Sequence, residues 1–169
     1  MNKLLCCLLL WLPISVLAET SYQSNDDFIR ESLGTLPKAD VLWLSDQQKA
    51  DIESILAHGF NKLRVRYWRD GAKTAWILDE IGKESPITVG IHVAAGKIVN
   101  TKVLVYRESR GDEVRHDFFT NQFKSATLTD SLELDRHIDG ITGATLSVKA
   151  LTKLSRIALY LDAAVQQAN

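Results

Sequence analysis

The chain predicts an α+β fold: a twisted antiparallel sheet of hairpins packed with a few helices and closed by a long C-terminal helix. Three observations carry that expectation. Ile87, Val89, Ile91 and Val93 recur at every second position, the signature of a strand with one buried face. An earlier run alternates Leu63, Val65 and Tyr67 with Lys62, Arg64 and Arg66, and the dipeptides Asp70-Gly71 and Ala95-Gly96 supply tight turns. Finally, Leu151, Leu154, Ala158, Leu161 and Val165 fall on one stripe at helical spacing.

Residues 1–18 are set aside first. Lys3 is followed by an apolar run from Leu4 to Leu12, and Val16 and Ala18 suit a signal peptidase. The segment reads as a signal peptide cleaved after Ala18. Retention as an anchor is the alternative, although the run is short for a bilayer. Both cysteines of the chain, Cys6 and Cys7, lie inside this segment, and neither follows the apolar core as lipidation requires. The rest of the chain therefore has no disulfide, no thiolate nucleophile and no cysteine-ligated metal. Its length suits one domain with a real core. The formal charge of −1 for the whole chain gives no basic surplus, so nucleic acid is not an expected partner.

Further along, residues 19–26 are polar and read as loose. Asp27 to Leu33 suit a short helix ended by Gly34. Ser45 and Gln48 form a capping-box pair opening a helix with an Ile52, Ile55, Leu56 stripe, which Gly59 would end. Strands follow through Leu63–Tyr67, Ala75–Leu78, Ile87–Val93 and Ile98–Tyr106. Two successive hairpins imply a sheet with one face buried. Glu108-Ser109-Arg110-Gly111 reads as a loop. Asp112 would then cap a short helix through Val114, Phe118 and Phe123. Residues 124–137 have no period, and the terminal helix begins after Thr145.

Few residues offer chemistry. His58, His92, His116 and His137 have no metal-ligand spacing, and His92 sits on the polar side of its strand. Motifs of serine hydrolases, zinc proteases, nucleotide-phosphate loops and dinucleotide folds are absent. Tyr67, Trp68, Trp76 and Trp43 suit cross-strand packing, with a ring-binding pocket as the rival reading. Arg64 and Arg66 read as a solvated face. Asp139-Gly140-Ile141-Thr142-Gly143-Ala144-Thr145 stands apart. It puts the Thr145 hydroxyl near a helix start, where free backbone N–H groups attract anions. An ordinary threonine cap is the plain alternative.

The whole string resembles the flavinylation motif Asp-x-x-(Ser/Thr)-Gly-Ala-Thr of the FMN-binding domain family. That family includes the FMN-carrying subunits of the sodium-pumping NADH:quinone oxidoreductase and of the Rnf complex, and small exported FMN-binding proteins. The similarity covers residues 84–165. Residues 19–83 would be an N-terminal extension of helices and a hairpin packing on that domain. The resemblance implies FMN joined by a phosphodiester to Thr145 Oγ, attached by a flavin transferase that uses FAD and magnesium and releases AMP. It also implies a turn at Thr142, Gly143 and Ala144, with the N–H groups of Leu146 and Ser147 facing the phosphate. Glu108, Ser109 and Gly111 would approach the ring or ribityl chain, and Asp139 would serve transferase recognition. Many members have Glu-Thr-Pro-Gly where this chain has Glu108-Ser109-Arg110-Gly111, so proline's fixed φ is lost, and Arg110 reads as solvated. With no thiol or metal centre, a bound organic cofactor would have to carry electrons.

The expected function is an exported electron-transfer flavoprotein, periplasmic after cleavage near Ala18 or membrane-associated. It would relay electrons between membrane-bound or periplasmic partners, with no catalytic residue and no metal of its own. Alternatives are a flavin-dependent periplasmic reductase with its own small substrate, or a non-redox binding module.

Overall fold

The computed structural model describes residues 19–167. The expected signal peptide and both cysteines lie outside the described residues. In chain order the elements are β1 (Thr20–Ser21), α1 (Asn25–Leu33), β2 (Asp40–Trp43), α2 (Asp46–Leu56), β3 (Arg64–Asp70), β4 (Lys73–Ile81), β5 (Pro86–Ala94) and β6 (Lys97–Tyr106). Then come α3 (Asp117–Thr120), between two single 3-10 turns, and α4 (Thr145–Gln167). The strands form one antiparallel sheet in the order β1-β6-β5-β4-β3-β2. The α+β architecture and the long C-terminal helix are as expected.

The centre of the sheet is the β4–β5 pair, in register from Lys73↔Ala94 to Ile81↔Pro86. The β5–β6 hairpin turns at Ala95 and Gly96, both at positive φ, as a type I′ turn demands. Trp76, Leu78, Ile87, Val89, Ile91 and Val93 project to one side, where the α4 stripe and Ile52, Ile55 and Leu56 of α2 complete the main core. The α2 capping box is present, with Ser45 N–H donating to Gln48 Oε1 at 2.8 Å and Gln48 N–H to Ser45 Oγ at 3.2 Å.

Several expectations need correcting. The sheet buries both faces, because α1 covers the second with Phe28, Ile29 and Leu33 against Ala75 and Leu104. Gly90 leaves the space that the Phe28 ring fills. His92 therefore lies buried rather than on a solvated side, and its Nε2 finds no partner among the described residues. Burial, with Lys73 nearby, holds its pKa below the usual imidazole value, so it is neutral. Residues 19–26 are not loose: β1 pairs with Val105 and Tyr106, and Ser24 caps α1 from Asn25. β2 had no period to announce it. The α2 helix ends at Ala57, in the left-handed region at φ 59, and not at Gly59. The segment after Gly111 is broken into separate short turns at His116 and Thr120, and Gly111 rather than Asp112 holds the first cap position. It buries Phe119 and Phe123 and leaves Phe118 exposed. Trp43 is 65% exposed, with the Arg64 guanidinium over its ring at 5.4 Å, so it is not core.

β3 stays beside β4 only where Tyr67–Asp70 meet Lys73–Trp76. Arg64–Arg66 pair with β2 alone, and Ile77–Ile81 pair with β5 alone.

Candidate functional site

Three segments meet at one end of the sheet. They are the β4–β5 connection Gly82–Ser85, the loop Glu108–Gly111 after β6, and Gly143–Ser147 at the start of α4. Between them lies a groove of about 580 Å³ lined by Lys83, Glu84, Glu108, Ser109, Arg110 and residues 143–147. That volume is in the range of small-ligand sites.

Glu108 ties the first two walls together. Its Oε1 accepts the backbone N–H groups of Lys83, of Glu84 at 2.7 Å and of Ser85 at 2.9 Å. Burial pushes this carboxyl up, but the three donors and the Lys83 ammonium outweigh it and hold the pKa below its usual 4.5. Glu108, expected to approach the ring or ribityl chain, thus has its Oε1 engaged with the opposite wall.

Gly111 locks the second wall to the third. Its φ is 91°, and a Cβ there would stand 2.9 Å from Tyr106 Oη, 3.2 Å from Ala144 Cβ and 3.2 Å from Ser147 Oγ. Ala144 is buried, and its small side chain makes room for this loop. Tyr106 Oη donates to the Arg110 carbonyl at 2.6 Å and so accepts from Ser147 Oγ at 2.9 Å. Burial raises the Tyr106 pKa, which keeps the phenol protonated for that role.

The third wall is a helix start without a side-chain cap. Ala144 accepts the Val148 N–H at 3.0 Å and therefore occupies the cap position, where it has no side-chain acceptor to offer. Its own N–H is spent on the Ile141 carbonyl at 3.0 Å, in a turn that Gly143 closes at φ 88. The N–H groups of Thr145, Leu146 and Ser147 find no acceptor among the described residues, and the first turn of this 23-residue helix holds no acid. Thr145 is the first helical residue, with its side chain exposed. It is not an ordinary threonine cap, which would sit one position earlier. Free amides at a long helix start, beside an exposed hydroxyl, make a site for a phosphate.

Of the residues singled out from sequence, Glu108, Ser109, Gly143, Ala144, Thr145, Leu146 and Ser147 come together in the groove. Gly111 stands behind it. Thr142 and Asp139 lie outside its lining. The Asp139 carboxylate is exposed, with the His137 ring Nε2 at 3.8 Å. Its backbone N–H donates to Gln122 Oε1 at 2.7 Å. Lys83 and Glu84 were missed, although Gly82 and Pro86 punctuate the chain between two apolar runs. They pair with each other at 3.3 Å. Arg110 is exposed, as expected, yet it lines the groove with no carboxylate partner among the described residues. The aromatic residues form no ring pocket at this groove, although Trp68 lines a separate cavity. Tyr67 stacks on buried Trp76 at 5.0 Å, Trp68 packs on the α1 cluster, and none of the set reaches the groove.

Comparison with known proteins agrees with the geometry. No curated protein and no solved structure matches the chain significantly. The FMN-binding domain model matches residues 82–160, a span that opens at the first groove wall and runs past the helix start. Residues 82–160 belong to the FMN-binding domain family, and FMN is the cofactor of this flavoprotein.

Proposed function

We propose that this protein is an exported electron carrier holding FMN through a phosphodiester to Thr145 Oγ. The observation that carries the reading is the uncapped start of α4. Three free amides and an exposed hydroxyl converge where a phosphate would complete the helix. Bound FMN supplies one- and two-electron redox chemistry that no side chain of this domain has. The chain's own residues bind and orient. The N–H groups of Thr145, Leu146 and Ser147 receive the phosphate charge, Gly143 and Ala144 keep that end clear of bulk, and Glu108 holds the Lys83–Ser85 wall in place. Arg110 presents a positive charge to the electron-rich side of whatever fills the groove.

Attachment needs outside help, because an exposed threonine hydroxyl with no base beside it is a weak nucleophile. A flavin transferase would form the Thr145 Oγ–phosphorus bond, break the pyrophosphate of FAD, release AMP and take up the hydroxyl proton. The exposed carboxylate of Asp139 suits recognition by that enzyme. Electron donor and acceptor are membrane-bound or periplasmic redox partners, reached after residues 1–18 direct export.

The test is mass spectrometry of protein co-expressed with a flavin transferase. FMN is expected on wild type and on Thr145→Ser, and not on Thr145→Val. An FMN adduct that survives Thr145→Val, or none on wild type, refutes the linkage. Cell fractionation and reduction by periplasmic or membrane donors check export and electron transfer.

A further inference from the structure

The second large cavity lies away from the flavin groove. Where β3 leaves β4, the ladder opens into a slit of about 720 Å³. All of its lining except Leu154 and Ile157 falls outside residues 82–160. Side chains alternate across a strand, so the slit joins two unlike surroundings. Its inner end is apolar, floored by the buried side chains of Leu56, Val65, Leu78, Leu154 and Ile157. At its mouth stand four exposed cations, Lys38, Lys62, Arg64 and Arg66. None of them has a carboxylate within ion-pair distance among the described residues. Arg64 lies over the Trp43 ring instead. Asp79 is the one acid in the lining, and it already accepts the Thr88 hydroxyl at 2.6 Å.

We propose that this slit binds a single-chain anionic amphiphile, its alkyl tail against the α2–α4 core and its carboxylate or phosphate head among the four cations. The apolar floor gains by losing contact with water. The unpaired cations gain an anion with which guanidinium forms charge-assisted hydrogen bonds. An extended peptide could pair its backbone with the open edges at Arg64–Arg66 and Ile77–Ile81, yet that backbone brings no charge to the four cations. The site is independent of the FMN groove, so either stands without the other.

The experiment is isothermal titration of the flavin-loaded protein below micelle-forming concentrations. The ligands are dodecanoate, dodecyl phosphate, dodecyltrimethylammonium and acetate. Both dodecyl anions are expected to bind one per chain, the cationic amphiphile about ten-fold more weakly, and acetate not at all. The double variant Arg64→Glu/Arg66→Glu weakens the anions about ten-fold. Lys38→Glu/Lys62→Glu gives the same reading should the first variant fail to fold. Ala39→Trp, which fills the mouth, abolishes binding while flavin fluorescence stays unchanged. Absence of saturable dodecanoate binding overturns the proposal. So does equal binding of the cationic amphiphile, binding that ignores the variants, or affinity for anionic vesicles with none for the monomeric amphiphile.

Discussion

Replacing Gly111 with alanine puts a methyl group 2.9 Å from Tyr106 Oη and 3.2 Å from both Ala144 Cβ and Ser147 Oγ, on a backbone at φ 91. Two costs add. The left-handed conformation costs a residue with a Cβ about 1–2 kcal/mol. Relieving the contacts means moving the loop or breaking the Tyr106–Ser147 hydrogen bond, a further loss of about 1–2 kcal/mol. Gly143→Ala separates the two. Its φ is 88, but nothing lies within 4 Å of a Cβ there, so only the backbone cost applies. The entropy that alanine removes from the unfolded chain is common to both variants and cancels in the comparison. Urea unfolding, with m unchanged, should show Gly111→Ala losing about 2–4 kcal/mol and Gly143→Ala about half of that or less. Equal losses, or a Gly111→Ala loss under about 1 kcal/mol, would show that the loop does not lock onto α4 as described.

Glu108→Ala should cost about 2 kcal/mol and speed amide exchange at Lys83–Ser85, since three donors lose their acceptor. The folded Glu108 pKa lies below 4.5, so its contribution is present above that value and fades as pH falls through the folded pKa. Glu108→Gln should therefore flatten the acid side of the stability–pH curve, and an unchanged acid limb would contradict the assignment. His58 shows the opposite sign. The Gly59 carbonyl, then the Glu80 carboxylate at 3.1 Å, raise its pKa above 6.5, so its contribution is present below that value and is lost as pH rises through the folded pKa. His58→Asn should lose stability relative to wild type in acid and converge with it in base, as read by thermal melts. Arg110→Ala should lower the flavin midpoint potential by up to about 30 mV in spectroelectrochemical titration, because a cation beside the groove favours the electron-rich form. A rise would exclude Arg110 from the flavin's surroundings.

The parts of the molecule that declared themselves in sequence are those with a strong period or a paired local signal. β5 alternates cleanly, and Ser45 with Gln48 marks the start of α2. The α4 stripe from Leu151 to Val165 runs for about four turns. β2 was illegible because Asp40-Val41-Leu42-Trp43 is short and its outward Val41 and Trp43 are as apolar as its inward Leu42. His92 was misjudged because strand alternation cannot show that a second helix layer covers the far face. At the site, the motif from Asp139 to Thr145 was plain in one dimension. Its partners were not, since Lys83–Ser85 reach the groove only through Glu108, some two dozen positions away in the chain. Likewise, whether Thr145 is a cap or the first helical residue turns on one hydrogen bond, from Val148 N–H to the Ala144 carbonyl.

The continuous register between β4 and β5 has a bearing on how this protein can be divided. Cutting the chain at residue 82, where the family match begins, would strip β5 of its neighbour along nine residues. A bare central strand with Ile87, Val89, Ile91 and Val93 on one face is a template for pairing with other chains. The excised fragment should therefore oligomerise or precipitate, even with the groove-forming loop and helix start intact. The unit that evolution copies as a sequence family is smaller here than the unit that folds, and transplanting the flavin carrier into another protein means taking β4 along with it.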